Sequence, residues 1–290
     1  MPITLITGAN SGMGYETALS LGQLGHELIL CTRSLEKGNE ALHRIKQQDN
    51  TIKASVFALD LASFRSIRDC AAKVLAVYPT IDHLIFNAGV MTPPYTKTED
   101  GFELQFQANY LGHFYLFHLL KQALLASTAK KVVSISSLSS EKGVNDSIQK
   151  YEADAYCSPE SYDAMKCYRE SKLAQVLFTR ELDRRFREYD VKSYAVHPGV
   201  VNTSLFYRNS GSLYSLVMKP FVWLGYATGK LLTPQKGAAT AIYLASHDVE
   251  SSGLYWENCA IRPHNPIANQ EDFCCEFWDW SLSLIPAIES

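Results

Sequence analysis

Two kinds of hydrophobic pattern alternate along most of the chain. Short apolar runs rich in β-branched residues predict buried strands. They lie at Ile3–Thr7, Glu27–Thr32, Lys53–Leu59, Ile81–Phe86, Lys131–Ser136 and Val191–His197. Longer stretches repeat apolar side chains every three or four positions, which is typical of amphipathic helices. They lie at Tyr15–Leu24, Leu35–Gln48, Phe64–Tyr78, Phe102–Ser127 and Tyr162–Tyr189.

This alternation of strands and helices over short connections predicts an α/β fold. The expected architecture is a doubly wound parallel sheet (Rossmann-like), with helices on both faces and right-handed crossovers. Neither a linker nor a repeat beyond the two βαβαβ halves divides the sequence. A chain of 290 residues is long for one domain, but α/β folds reach this size, so we expect a single dinucleotide-binding catalytic domain over residues 1–290.

Three stretches lie outside the regular alternation. Leu138–Pro159 is polar with little periodicity, which predicts an insertion loop over about residues 138–160. Residues 205–232 are rich in large apolar and aromatic side chains and predict a substrate lid; a packing helix, or a surface that rests on a membrane or a partner, has the same composition. Glu271–Leu284 predicts a helix that packs on the body or closes the pocket.

Composition and charge exclude several classes of protein. The net charge is −3 with both signs interspersed, so a nucleic-acid-binding surface is not expected. The seven cysteines include no C-x-x-C pair, which favours reduced thiols in a cytoplasmic protein and no metal site. No run approaches the roughly 18 apolar residues of a membrane span, and the sequence opens directly into the first predicted strand. We therefore expect a soluble cytoplasmic protein without a leader or anchor.

Three glycines follow the first predicted strand and precede the first predicted helix: Gly8, Gly12 and Gly14. A strand, a glycine loop and a helix in this order point backbone N–H groups and a positive helix end at a phosphate. Gly8 permits a tight turn, Gly12 a close approach of a pyrophosphate, and Gly14 close packing of the helix on the strand. The motif predicts a dinucleotide site, although taken alone it also fits an ordinary glycine-rich turn.

Polar residues at the ends of the next strands refine this prediction. Arg33 follows the second strand, and Thr32 stands where an NAD site would carry an acid, so the pattern favours the 2′-phosphate of NADP over NAD. A solvated loop arginine is the alternative. Asp60 can hydrogen-bond an adenine amino group and Asn87 can line the site, but both are also common turn residues.

A Tyr followed four positions later by a Lys supplies the candidate catalytic pair. On a helix this spacing places both side chains on one face, where an ammonium lowers the pKa of the phenol and lets it exchange a proton as a hydride moves. The pair occurs three times, as Tyr162/Lys166, Tyr168/Lys172 and Tyr226/Lys230. Tyr168/Lys172 is preferred, because Ser171 precedes the Lys and a long periodic helix follows.

Hydroxyl and amide side chains elsewhere complete the candidate site. Ser136 and Ser137 end the fifth strand, where a hydroxyl can hold a substrate oxygen, although serine there is often only a turn former. Asn109 lies inside a predicted helix, where Asn is a poor helix former. It is either a surface residue or a group that holds a water connecting the lysine to solvent.

In this order, the motifs resemble the short-chain dehydrogenase/reductase family over about residues 3–204. The matching motifs are Thr7–Gly14, Asp60-Leu61, Asn87-Ala88-Gly89, Asn109, Ser136-Ser137, Tyr168–Lys172 and Pro198-Gly199. Further stretches look most like the retinol dehydrogenase-like branch, to which protochlorophyllide reductase-like members are related. These are Cys31-Thr32-Arg33, Asn109–Phe114, His197-Pro198-Gly199 and Thr233–Ala238, together with the long interval between the serines and Tyr168.

The resemblance implies roles for individual residues. Tyr168 would be the general acid/base, Lys172 would lower its pKa and bind the nicotinamide ribose, and Ser137 rather than Ser136 would orient the substrate. Asn109 would relay protons, and Thr203 would contact the nicotinamide carboxamide. The implied cofactor-binding residues are Gly8, Asn10, Ser11, Gly12, Met13, Gly14, Arg33, Asp60, Leu61, Asn87, Ala88, Gly89, Tyr168, Lys172, Pro198, Gly199, Val201 and Thr203.

Together these observations predict an NADP(H)-dependent oxidoreductase. It would transfer a hydride to or from the carbonyl or alcohol carbon of a hydrophobic substrate, such as a retinoid-like molecule, a lipid aldehyde or a ketone. We expect a monomer or homodimer and leave peripheral membrane contact open. The alternatives are a non-catalytic NADP-binding regulatory module, and a reductase of a conjugated C=C bond.

Overall fold

A computed structural model of the chain describes residues 1–154, 159–201 and 231–288. Its centre is one eight-stranded sheet in the order β3-β2-β1-β4-β5-β6-β7-β8. The strands are β1 (Ile3–Thr7), β2 (Glu27–Thr32), β3 (Ala54–Ala58), β4 (His83–Phe86), β5 (Lys131–Ile135), β6 (Lys192–Val196), β7 (Leu254–Glu257) and β8 (Ala260–Ile261). Strands β1 to β7 pair in parallel, and β8 runs antiparallel to β7. The predicted α/β sheet is confirmed.

Helices connect the strands along the chain. They are α1 (Gly12–Gln23), α2 (Leu35–Gln48), α3 (Phe64–Leu75), α4 (Leu104–Phe106), α5 (Gly112–Leu125), α6 (Ile148–Asp154), α7 (Ala164–Phe186), α8 (Pro234–Ser246) and α9 (Glu271–Leu284). A π-helical segment, Gln107–Leu111, joins α4 to α5. The predicted strands and helices are found with ends that move by no more than about three residues. None of the helices within the described ranges is long and apolar enough to cross a membrane.

Several elements differ from the sequence prediction. The stretch predicted as a loop from Leu138 to Pro159 holds a 3-10 helix, Leu138–Lys142, and the helix α6. Both are too short to show a hydrophobic period. The elements α8, β7 and β8 were not predicted, because α8 buries mainly small residues and each strand is only a few residues long. Residues 202–230, with most of the predicted 205–232 lid, Thr203 and the Tyr226/Lys230 pair, lie outside the described residues.

Apolar side chains fill the space on both faces of the sheet. Neighbouring residues of β1 point into different clusters: Leu5 packs with side chains of α3, α5 and α7, whereas Ile6 packs with those of α1 and α8. The sheet is therefore covered on both sides, as the doubly wound architecture requires. The carboxyl ends of β1, β4, β5 and β6 then lie along one edge, which is where such folds bind their ligands.

The carboxyl-terminal helix α9 packs on the body of the protein, as predicted. Trp278 is 2% exposed and its ring stacks on Phe178 of α7, with centroids 5.7 Å apart and planes 9° apart. Trp278 also meets Phe114 of α5 edge-on at 5.0 Å. Helix α9 thus covers apolar side chains of α5 and α7 that water would otherwise reach.

Candidate active site

The glycine-rich loop has the geometry that its sequence predicts. Gly8 and Gly12 have φ angles of +67° and +56°, in the left-handed region that favours glycine. A Cβ atom added to Gly14 would lie 2.5 Å from Nδ2 of Asn87, so a side chain there would displace its neighbours. The side chain of Ser11 caps none of the N–H groups in the first turn of α1. These N–H groups suit a phosphate, so the loop fits a dinucleotide.

The turn after β4 is fastened to the end of β1. Asn87 Nδ2 donates to the carbonyl O of Thr7 at 2.8 Å. The backbone N–H groups of Asn87 and Ala88 both donate to the Thr7 hydroxyl at 2.9 Å. A Cβ atom on Gly89 would lie 3.1 Å from Asn109 Oδ1 and 3.6 Å from Lys172 Nζ. The turn therefore brings bare backbone close to the candidate catalytic groups.

The predicted adenosine contacts lie at the ends of β2 and β3. Arg33 is exposed, and no described residue accepts a hydrogen bond or forms an ion pair with it. Asp60 accepts a hydrogen bond from the N–H of Ala62 at 3.0 Å, and Leu61 is buried. Asp60 thus shapes the turn after β3. Arg33 presents a cation that has no partner among the described residues.

Tyr168 and Ser137 meet in the interior. Tyr168 lies on α7 and is 6% exposed. Burial raises the pKa of Tyr168 above its ordinary value, and the neighbouring Ser137 side chain lowers it by less. Ser136 instead donates to the backbone O of Lys172 at 2.7 Å. Of the two serines, Ser137 is therefore the one beside the phenol.

Lys172 is a buried ammonium, 4% exposed. Its Nζ donates to the carbonyl O of Ile135 at 2.8 Å and to Gln175 Oε1 at 3.0 Å, and it lies 5.7 Å from the centroid of the Tyr168 ring. Burial lowers the pKa of Lys172 to about 7. An ammonium has three donors, so one N–H is left for a ribose hydroxyl.

The sequence predicts a pKa of Tyr168 below its ordinary value, whereas in this structure the pKa lies above it. Burial raises the pKa of Tyr168, and the Ser137 side chain lowers it by less. The physical reason is that both groups are buried together. Loss of water disfavours the phenolate of Tyr168 and also the ammonium of Lys172.

Asn109 lies in the π-helical segment and is fully buried, which excludes a surface role. Its Nδ2 donates to the carbonyl O of Val90 and to Ser171 Oγ, both at 2.9 Å, and its Oδ1 accepts the N–H of Val90 at 2.7 Å. A π-helical turn often marks a functional position. Here it places a polar side chain between the turn after β4 and the helix of Tyr168.

The competing pair Tyr162/Lys166 does not share a helix face. Tyr162 precedes α7, whose N-cap is Asp163. The Tyr162 hydroxyl donates to the carbonyl O of Pro93 at 2.9 Å and accepts from Gln105 Nε2 at 3.0 Å. Tyr162 thus ties the loop after β4 to the start of α7.

The segment that follows β6 contains the last of the predicted cofactor contacts. Pro198 leads into Gly199, whose φ is +80°, and Val201 is buried and pairs with Leu232 in an isolated parallel bridge. The predicted contact Thr203 falls outside the described residues.

Sequence reasoning missed the local roles of two residues next to the catalytic pair. His197 Nδ1 accepts the N–H of Leu138, at 3.1 Å, and so holds the segment that follows Ser137. Gln175 accepts from Lys172. The spacing of Gln175, three positions after the Lys on the same helix, is a signal that could have found it. No local pattern points to His197, because its partner is distant in sequence.

Comparisons with known proteins identify the family of the chain. The sequence model of the family described as short chain dehydrogenase matches residues 2–153. Retinol dehydrogenase 14 of Mus musculus is 40% identical over 294 residues, covering 97% of this chain and 85% of that protein.

Among solved structures, a protein of uncharacterized function from Mycobacterium paratuberculosis has a TM-score of 0.74 at 28% identity, covering 98% of this chain and 93% of its own. A short chain dehydrogenase of Shigella flexneri complexed with NADP has a TM-score of 0.67 at 21% identity, covering 89% and 97%. This last likeness shows the fold alone. The family match and the relative at 40% identity show that the chain belongs to the short-chain dehydrogenase/reductase family, in its retinol dehydrogenase-like branch.

Proposed function

We propose that this oxidoreductase transfers a hydride between NADP(H) and the carbonyl or alcohol carbon of a hydrophobic substrate. The observation that carries the proposal is the buried Tyr168, with the Ser137 side chain beside it and Lys172 Nζ 5.7 Å from the centroid of its ring. Two hydroxyls that converge beside an ammonium suit a carbonyl oxygen that becomes an alcohol.

In the proposed mechanism the protein holds the substrate oxygen and moves the proton. A bound nicotinamide supplies or accepts the hydride. The hydroxyls of Ser137 and Tyr168 bind the substrate oxygen, and Tyr168 Oη gives up its proton in reduction and receives it in oxidation. The raised pKa keeps Tyr168 protonated at neutral pH, which is the form that reduction requires. Lys172 binds the ribose, and with Asn109 it returns the proton from solvent.

Arg33 and Thr32 favour NADP, and other segments bind the rest of the cofactor. Arg33 is an exposed cation at the end of β2, where the buried Thr32 replaces an acidic residue, and this suits a 2′-phosphate. The glycine loop, the Asn87–Gly89 turn, Asp60-Leu61 and the Pro198–Thr203 segment complete the proposed cofactor contacts.

The hydrophobic substrate class rests on the surroundings of the site. Leu138 follows Ser137 and Val200 follows Gly199, and their apolar side chains are 37% and 48% exposed. Exposed apolar side chains next to proposed site residues suit a hydrophobic ligand. The relative named retinol dehydrogenase 14 favours a retinoid-like or lipid carbonyl compound. A single domain, a monomeric or homodimeric state and a cytoplasmic location stay predictions.

NADPH oxidation across a panel of aldehydes, ketones and enones tests the proposal. Tyr168→Phe should lose at least about a hundredfold in turnover while it binds NADPH nearly as tightly as the wild type. Tyr162→Phe is the matched control, because Tyr162 belongs to a competing Tyr/Lys pair, and it should keep most of the turnover. Retained activity in Tyr168→Phe would refute the assignment of the acid/base.

The same panel separates the alternatives. Tight NADPH binding without turnover of any compound would favour the regulatory module. Consumption of enones to saturated ketones, identified by product analysis, would favour the C=C reductase.

A further inference from the structure

A buried histidine that the proposed mechanism does not use lies between the turn after β4 and Asn109. His113, on the first turn of α5, is 2% exposed. Its Nε2 lies 2.9 Å from the Thr7 hydroxyl, and its Nδ1 lies 3.0 Å from the backbone carbonyl O of Asn109. The ring stacks on Phe86, with centroids 4.8 Å apart. Both nitrogens and one face of the ring therefore have partners.

These partners fix which nitrogen of His113 carries the proton. A carbonyl oxygen only accepts, so Nδ1 donates to Asn109. Burial lowers the pKa of His113 to about 3, so the ring is neutral and Nε2 accepts. The Thr7 hydroxyl consequently donates to Nε2 at 2.9 Å, a shorter contact than the 3.4 Å to the carbonyl O of Ile85.

The orientation of the Thr7 hydroxyl matters for the turn after β4. A hydroxyl has one donor and two acceptor positions. With its proton on His113, Thr7 presents both lone pairs to the N–H groups of Asn87 and Ala88, each at 2.9 Å. His113 thereby fixes the orientation of the Thr7 hydroxyl, and this hydroxyl holds the turn after β4.

The other nitrogen of His113 acts on the π-helical segment. His113 Nδ1 donates to the backbone carbonyl O of Asn109. The side chain of Asn109 binds the backbone N–H and carbonyl O of Val90 and the hydroxyl of Ser171. Ser171 Oγ in turn donates to the carbonyl O of Tyr168 at 2.8 Å. One connected set of hydrogen bonds thus runs from the glycine loop to the helix of the catalytic tyrosine.

We propose that His113, as its Nδ1–H tautomer, is a positioning residue that sets the Asn87–Gly89 turn in register with Asn109 and the Tyr168–Lys172 helix. The inference rests on the proposed function for its effect on turnover. Its effects on tautomer and on cofactor affinity are measured separately from turnover.

The first test uses the wild-type protein without ligand. Nitrogen NMR of labelled histidine should show His113 as the neutral Nδ1–H tautomer, unchanged from about pH 8 to about pH 5. An Nε2–H tautomer, or protonation of His113 within that range, would overturn the proposal, since either would break one of the two contacts. This measurement needs no substitution and so cannot fail through misfolding.

The second test compares two buried histidines of α5. His113→Phe keeps an aromatic ring against Phe86 but removes both hydrogen bonds, and should weaken NADPH binding about tenfold and lower kcat more than it raises KM. His118→Phe is the matched control: His118 packs against Phe114 and Trp278 and should leave both constants within about twofold. Equal effects of the two substitutions on NADPH binding would overturn the proposal.

A double variant tests the link to Thr7. Thr7→Val removes the same hydroxyl contact from the other side, so Thr7→Val with His113→Phe should weaken NADPH binding no more than the worse single change. Additive losses would show that the two residues act independently and would overturn the proposal. A wild type that binds NADPH but turns over no substrate refutes the proposed function, while the tautomer and the affinities still decide on His113.

Discussion

Lys172 shows at the scale of one residue how the candidate site trades stability for chemistry. Its pKa of about 7, against an ordinary 10.5, means that burial disfavours the ammonium strongly at neutral pH. The shift corresponds to about 5 kcal/mol. The donated bonds to Ile135 and Gln175 offset only part of this penalty. A residue kept at such an energetic cost is a candidate for function rather than for packing.

Lys172→Met should therefore raise stability and abolish turnover. Met keeps the length of the side chain without the charge, and it leaves two acceptors without a donor. We expect the free energy of unfolding at pH 7 to rise by about 2 kcal/mol, measured by chemical denaturation. Turnover should fall at least about a hundredfold. A variant that is less stable than the wild type would contradict the assigned burial penalty.

Arg33 tests the choice of cofactor at the same scale. Because no described residue pairs with Arg33, its removal should disturb the fold little. Arg33→Ala should weaken NADPH binding at least about tenfold and leave NADH binding within about twofold, as measured by fluorescence titration. Equal losses for both cofactors would refute the 2′-phosphate contact.

At the scale of the element, the hydrophobic period predicted the strands and helices whose formation depends on burying a regular apolar stripe. Strands and helices that bury a regular apolar stripe, such as β1 and α7, could be predicted from sequence. Elements that depend on distant partners could not. Strand β7 has only four residues and pairs with β6. Helix α6 is also short, and its Tyr151 packs on Phe277 of α9.

The same division holds within the candidate site. The glycine loop and the Tyr168/Lys172 pair are local patterns, and the sequence placed them correctly relative to their own elements. The hydrogen bonds of Asn109 and His197 join residues far apart in the chain, so no spacing rule contains them. The raised pKa of Tyr168 was missed because burial is a property of the folded chain.

Helix α9 gives a prediction at this scale. Trp278 packs on Phe178 and Phe114 and is covered by the Arg185 guanidinium, 5.2 Å from its ring. Trp278→Ala should lower the free energy of unfolding by about 3–5 kcal/mol, because it leaves a cavity between α9 and α7. Trp280→Ala, two positions away and only half-buried, should lower it by clearly less in the same denaturation measurement. Similar losses for both would mean that α9 does not depend on this contact.

At the scale of the whole molecule, buried histidines make the free energy of unfolding depend on pH. Three of them lie on two elements: His83 on β4, and His113 and His118 on α5. Burial lowers the pKa of each to about 3, whereas in the unfolded chain the value is about 6.5. Between these values the unfolded chain binds protons that the folded protein excludes. Their contribution to stability is therefore complete above about pH 6.5 and is lost as the pH falls.

The free energy of unfolding should consequently decrease below about pH 6.5, by up to about 4 kcal/mol per pH unit near pH 5 when all three histidines act. The carboxyls of Glu103 and Glu170 oppose this, because burial raises their pKa and the folded protein takes up their protons first. Burial also lowers the pKa of His26, His197 and His264, so the histidines outnumber these two carboxyls and the net loss should remain. Denaturation at about pH 7.5, 6 and 5 measures it, and His118→Leu, which removes one of these histidines, should make the decrease smaller by up to about 1.4 kcal/mol per pH unit. A wild-type stability that stays constant over this range would show that the buried histidines titrate as they do in water.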